Sequence, residues 1–592
     1  AGSGAITQDA SSALVSTGAS ATVRLLAATD VTVGDIDVSG GAVSITATAG
    51  SILDADALVG VANDGDQDIT AVALRLNAGS GIGGNVNHLE TSVDTLSAAA
   101  GNGGVYLLEA DALAVSNVGL SVNRVGSDGA LTVVTDASQS DLVMGNSGHI
   151  VLTAGGTVTV GDVDIDGAAY GSTIQAMGGG SVMVRVTSGD LLINTGIGAT
   201  GAGTIHLSVD DGDLTMLGGA SVSADGSLGS ARLSARGDVA LGRVAAAGVS
   251  VVAQQGAIRN AVGSTINVQA SQLRLQAGGA IGTVARHVTT QVGTLSALSA
   301  GNTTQGIFLS ETDAVTVGGV SVSVNQFDAA GAMGSVVDAQ QSDLRTLAGD
   351  GPIVLLAGGT VTLNDGVDDD GTAVSANGSG SMLVQSTGGD VVVNSGVASG
   401  SGHITLKAGA DLLLNSGAGI TTTGAGTVSL DAQGGALTMA GDVAITATDS
   451  SVRLNASGDI TLGNVTAGQV SVVSDVGAVL NASGSNTNVT ADALRLQANG
   501  AIGTAARAIS TAVQMLSALS AGNGSAGIFV NEADAVTLDA VSVSVSELGA
   551  LGALTVVSDA SQSDLVTGNN GHIVLRSTAG GITLNDGVDA DG

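Results

Sequence analysis

The feature that most constrains this chain is that it repeats itself. "ALRLNAGSGIGG" at 73–84 returns as "QLRLQAGGAIGT" at 272–283 and "ALRLQANGAIGT" at 493–504. "DASQSDL" at 136–142 returns as "DAQQSDL" at 338–344 and "DASQSDL" at 559–565. Arg75, Arg274 and Arg495 are equivalent, and Gly167, Gly371 and Gly592 close the three copies. The third copy is longer than the second by about 17 residues, close to one coil of a β-solenoid, and a one-dimensional stack tolerates gain or loss of a whole coil. The copies divide the chain into 1–167, 168–371 and 372–592, a partial first unit and two full ones, predicted to form one continuous rod. Residue 1 falls within a unit, so the sequence reads as part of a longer tandem array or as a subunit that stacks end to end.

Within a copy the local pattern is strand. "GTVTVGDVDIDG", "VSVSVNQ" and "VSVSVSE" alternate apolar with small polar residues, and Gly, Asn, Asp and Ser punctuate them at short intervals. Only 1% of residues are aromatic, with no Trp, so a sandwich core filled by large rings is disfavoured. The predicted fold is all-β: a parallel β-helix of about 20 residues per coil, with ladders of Val, Leu, Ile and Ala inside. The Leu-Arg-Leu triads are expected to turn Leu74 and Leu76 inward and Arg75 to solvent. Tyr106, Phe308 and Phe529 hold one repeat position and are expected to fill the core.

The net charge is −36, and 47 of the 52 acids are Asp, with a single Lys, Lys407. Clustered positive charge is missing, which argues against nucleic acid and anionic membranes as partners. Zero cysteines remove disulfides and thiolate sites. There is no apolar run long enough for a membrane-spanning helix, so no membrane insertion is expected.

The candidate chemistry lies in Asp-rich words. Asp162, Asp164 and Asp166 alternate in "GDVDIDG"; Asp365, Asp368 and Asp370 lie in "LNDGVDDDG"; Asp586, Asp589 and Asp591 lie in "LNDGVDADG". Hard cations take several carboxylate and carbonyl oxygens, so these nine are calcium candidates, with "NDGDQD" at 63–68 a further one. The bidentate glutamate of an EF-hand and the nonapeptide of calcium β-rolls are missing, and the spacing changes between copies. Solvated turns are the competing reading, and no cofactor is required. "GSGIGG" at 79–84 satisfies G-x-G-x-x-G, but its copies break the pattern and no βαβ context follows, so it reads as a turn. His149 and His572 share a strand-start position that Pro352 takes in the second unit, so no imidazole is needed there. No constellation points to catalysis, and the chain is not expected to be an enzyme.

"GDITLGNVTAGQVSVVSDVGAVLNA" (458–482) and "GHITLKAGADLLLNSGAGITTTGAGTVSLDAQGGALTMAG" (402–441) resemble the filamentous-haemagglutinin-like β-helix repeats of giant bacterial surface adhesins. The resemblance covers essentially the whole chain. It implies a right-handed parallel β-helix, secretion to the bacterial cell surface, and a structural or adhesive role in a fibre. Partners implied are further repeats or copies of the fibre and, as alternatives, surface glycans or cells. A calcium-dependent adhesive module and a polysaccharide-acting β-helix enzyme are the alternative functions.

Overall fold

The computed structural model describes residues 2–56, 66–161, 172–225, 228–302, 306–328, 332–522, 526–568 and 570–588. Among the described residues there are strands and turns but no helix. Two compact units are present. One comprises Ala1–Arg274 with Ser321–Ala339, the other Leu275–Val320 with Gln340–Gly592.

In the first unit short strands stack in parallel ladders. Ile150–Ala154, Val182–Val186, Ile205–Val209 and Ser230–Ala235 pair in turn, with Ile150, Val182, Ile205 and Ala231 in one register column. Beside them Val158, Leu191, Leu214, Val239 and Ile258 are successive partners. A third column joins Ile174, Ile197 and Val222. The second unit has the same plan, with Val361, Val391, Leu412, Leu437, Ile460 and Val479 as successive partners. Each level of three short strands is a tier, and the arrangement is the one expected of a β-solenoid.

The alternating pattern explains the packing. In Ile404–Ala408, Ile404, Leu406 and Ala408 are fully buried, and Val428, Leu430 and Ala432 cover them one tier on. Each such Leu or Ile side chain contributes roughly 1.5–3 kcal/mol by leaving water. Small β-branched residues stack on their own kind without rings, so the low aromatic content suits the core.

The excess of Asp has a structural use at the turns. Asp190 Oδ1 accepts the N–H of Asp213 at 2.9 Å, Asp213 Oδ1 that of Asp238 at 2.7 Å, and Asp238 Oδ1 that of Ala257 at 2.7 Å. In the second unit Asp390 accepts from Asp411 at 3.0 Å, and Asp411 from Ala436 at 2.8 Å. An Asp at the turn thus satisfies a backbone donor of the next tier that no strand partner reaches.

Three segments depart from the parallel stack. Val118–Val125 with Leu131–Gln139, Ser323–Phe327 with Met333–Val337, and Val541–Leu548 with Leu554–Gln562 are antiparallel hairpins. Two of the alternating words expected to be coil strands, "VSVSVNQ" and "VSVSVSE", are here first arms of hairpins, whereas Val158–Val160 of "GTVTV" pairs in the parallel stack. Alternation alone is common to both, because each has one covered face. The third hairpin lies across Ile509–Ser520, Val489–Ala498, Asn464–Ser474, Ala444–Ala456, Val428–Ala432, Ile404–Ala408 and Met382–Ser386. Its eight-residue arm spans about 27 Å at ~3.4 Å per residue, which matches about 29 Å for six steps between seven tiers.

The hairpins correct two expectations. Arg75, Arg274 and Arg495 are not in solvent; they are 9%, 6% and 6% exposed. Each donates from Nε to a hairpin carbonyl: Arg75 to Ala137 at 3.2 Å, Arg274 to Ala339 at 3.1 Å, Arg495 to Ala560 at 3.1 Å. Tyr106 and Phe308 are buried, but they alternate with the interior pairs Val105/Leu107 and Ile307/Leu309, and so stand on the outer face of their strands. Phe308 packs with Val354, Leu383 and the hairpin residue Leu548, and Tyr106 with Val151, Met183 and the hairpin residue Phe327. Phe529 is half-buried.

Candidate functional site

The words "DASQSDL" and "DAQQSDL" do two jobs in succession. Their first half fastens a hairpin. Asp136, Asp338 and Asp559 meet Arg24, Arg232 and Arg453 at 2.7, 3.0 and 3.1 Å. Gln139, Gln341 and Gln562 donate to the carbonyls of Leu76, Leu275 and Leu496 at 2.9, 2.9 and 3.0 Å. In the third hairpin Lys407 adds an ion pair to Glu547 at 2.7 Å, and Ser429 donates to the same carboxylate at 2.7 Å.

The second half turns the chain back into the stack. Asp141, Asp343 and Asp564 all adopt left-handed backbone, with φ of 74°, 67° and 65°. Asp and Asn tolerate that region better than most residues. The neighbouring serine then anchors the Asp-rich loop of the next turn. Ser342 Oγ accepts the Val367 N–H at 3.0 Å, and Ser563 Oγ that of Val588 at 3.2 Å. Gly366, with φ of +82°, comes so close that a Cβ there would sit 2.5 Å from Ser342 Oγ.

This brings Asp365 and Asp368 beside Asp343. One carboxylate oxygen from each of the three lies within 4.8 Å of the others. Asp343 is fully buried, and neither of its carboxylate oxygens has a hydrogen-bond partner. Burial and the charges of Asp368, Asp370 and Asp365 push its pKa up to about 8, against an opposing pull from Arg345. Asp365 Oδ1 accepts from Gly371 and Thr372 at 3.0 and 3.1 Å. Arg345 lies 3.5 Å from Asp368 and 3.3 Å from Asp370. Asp370 therefore faces the guanidinium on the rim. The donor set is all oxygen and suits a hard cation.

The other calcium candidates divide by position. Asp586 is exposed at the equivalent loop. Asp162, Asp164, Asp166, Asp589 and Asp591 lie outside the described residues, as do Asn63, Asp64 and Gly65 of "NDGDQD". Sequence reasoning misses Asp343, because "QSDL" reads as a turn. The signal is its fixed company: each "SDL" precedes an Asp-rich word within about one coil. No family, curated protein or solved structure matches the chain.

Proposed function

We propose that this chain is a structural segment of a large secreted bacterial surface fibre or adhesin, a right-handed β-solenoid with coils of about 20 residues. The observation that carries the reading is the strapped stack. Apolar columns continue from tier to tier, and three hairpins, each with the same Arg–Asp pair and Arg–carbonyl bond, lie across neighbouring tiers. Such a design uses its repeated words to hold neighbours together, which is what a filament under tension needs. In most tiers the chain meets its register partner again after roughly 20–25 residues, which supports the coil length. The acidic surface keeps neighbouring fibres apart and soluble. Protease treatment of intact producing cells tests this. Release of the chain without lysis supports a surface fibre, and full protection contradicts it.

A second reading, a calcium-dependent adhesive module, is favoured by Asp343 and its two loop partners. On that reading the ion fixes the "LNDGVDDDG" turn to the stack and sets the surface presented to cells or glycans. Chelation then lowers the melting temperature by several degrees, and an unchanged value removes the reading.

A further inference from the structure

A second carboxylate group lies elsewhere, in the first repeat, and differs from its own copies. Asp54, Asp68 and Glu90 are 9%, 2% and 1% exposed. One carboxylate oxygen from each lies within 4.8 Å of the others. Asp54 Oδ2 is buried with no hydrogen-bond partner. Its other oxygen accepts the Asp56 N–H at 2.7 Å, and Asp68 Oδ2 accepts the Glu90 N–H at 2.8 Å.

The copies show what normally occupies this place. Asp68 corresponds to Asn267 and Asn488, because each precedes the same strand and gives its carbonyl to the same inter-tier bond. Those bonds are Ile36 N–H to Asp68 at 2.8 Å, Val244 N–H to Asn267 at 2.7 Å, and Val465 N–H to Asn488 at 2.8 Å. Asp54 likewise corresponds to Asn260 and Asn481, which end the paired strands. In the second copy the Asn267 amide nitrogen donates to the carbonyls of Leu241 and Gly242 at 2.7 and 3.2 Å and to Asn260 Oδ1 at 3.2 Å. In the third, Asn488 donates to Leu462 and Gly463 at 2.8 and 3.2 Å and to Asn481 Oδ1 at 3.1 Å. A partly positive group, the side-chain amide nitrogen with its hydrogens, thus sits among the same three oxygens in both, with Ser485 Oγ at 3.2 Å as a fourth in the third copy.

The first copy replaces both amides with carboxylates and adds a third, Glu90, where the others have Thr289 and Ser510. The positions of the two carbonyls are kept by Val33 and Gly34. Ionised carboxylates carry no donor, so a cation bound among them restores the positive centre of the motif. We propose that Asp54, Asp68 and Glu90 form a buried binding site for one calcium-class divalent cation, which takes the place of the asparagine amide.

Chemistry favours calcium over magnesium. The donors are all oxygen and the three carboxylates are buried, whereas magnesium keeps several of its waters. The neighbouring Asp56 and the exposed Asp66 carry the negative field outward to solvent. The connection from Asp54 to Asp68 is twice as long as that from Asn260 to Asn267 or from Asn481 to Asn488. The added acids and the added length fall in the one copy that lost its amides.

The test is calcium titration calorimetry on the whole chain, comparing the unaltered protein with Asp54→Asn/Asp68→Asn. That variant rebuilds the asparagine pair of the other two copies, so its fold is kept. The expected result is loss of one calcium equivalent per chain, with a melting temperature in EDTA equal to or above that of the parent. Glu90→Gln, a milder change, is expected to weaken the same equivalent at least tenfold. Asp343→Asn separates this site from the other cluster and leaves the equivalent in place. Equal calcium stoichiometry in parent and double variant, or no calcium binding by the parent, overturns the proposal.

Discussion

Arg453 and Asp559 are 106 residues apart in sequence and 3.1 Å apart in the fold. Arg453 belongs to a tier strand and Asp559 to the hairpin that crosses it. Their side chains are 13% and 11% exposed, and Arg453 also donates to Asn455 Oδ1 at 3.3 Å. Removing one partner strands a nearly buried charge. Arg453→Ala is expected to destabilise the third hairpin by about 2–4 kcal/mol. Hydrogen exchange is expected to speed up across Val541–Gln562 far more than in the interior strands beneath. Arg453→Met with Asp559→Leu is expected to recover much of the loss, since a packed apolar pair replaces the ions.

Glu109 supplies the pH dependence. It is buried and accepts from Thr91 Oγ1 at 2.7 Å and from Val93 N–H at 3.0 Å. Burial, opposed by those bonds, pushes its pKa up to about 8. Glu311 is raised for the same first reason. A folded pKa above the unfolded value of about 4.5 adds stability that is full below pH ~4.5 and lost as pH rises through about 8. The melting temperature is therefore expected to rise as pH falls from about 8 to 5. Below that, Asp136 acts in the opposite sense. Burial works against its charge, but Arg24 and Ser44 hold its pKa below the ordinary value, and its contribution is lost in acid. Glu109→Gln is expected to raise the melting temperature at pH 8 and to flatten the slope between 5 and 8.

Much of this fold was legible from sequence, and the reason is the period-two alternation. The interior residues Leu74 and Leu76 follow from "LRL" alone. The hairpins do not, because "VSVSVSE" has one apolar face whether it joins a tier or lies across several. The same alternation sends Arg75 to solvent, whereas its cover arrives 62 residues later, at Ala137. The site was half legible. Asp365 and Asp368 stand in a conspicuous word, but Asp343 joins them only through stacking. The asparagine-to-aspartate exchange at Asp54 and Asp68 becomes meaningful only once the three copies are aligned by their inter-tier bonds.

Asp343→Asn tests the first cluster. Asn accepts the left-handed backbone that Asp343 adopts. It also removes a carboxylate whose pKa is raised to about 8. In EDTA at pH 8 the variant is expected to melt a few degrees above the parent. A lower melting temperature there means that the ionised carboxylate is itself stabilising.

Phe308→Ala tests the outer packing. Phe308 contacts Val354, Leu383 and Leu548, so truncation opens a cavity between tier and hairpin. The expected loss is about 3–5 kcal/mol, read by denaturant unfolding of the whole chain. Phe529, half-buried at the equivalent position, is expected to lose less.

The parallel stack itself is open to a direct test, because the chain has no cysteine. Asn394 and Asn415 follow the register partners Val393 and Leu414, and Asn415 donates to Asn394 Oδ1 at 2.7 Å. Adjacent parallel strands lie about 4.8 Å apart, within reach of a disulfide, whereas strands two tiers apart are about 9.6 Å apart and out of reach. Asn394→Cys with Asn415→Cys is expected to form an intramolecular disulfide on mild oxidation, seen by mass spectrometry. Asn394→Cys with Ala440→Cys, two tiers apart, is expected to form none. A disulfide in the second pair, or none in the first, would contradict the stacked parallel register on which the structure and its proposed function rest.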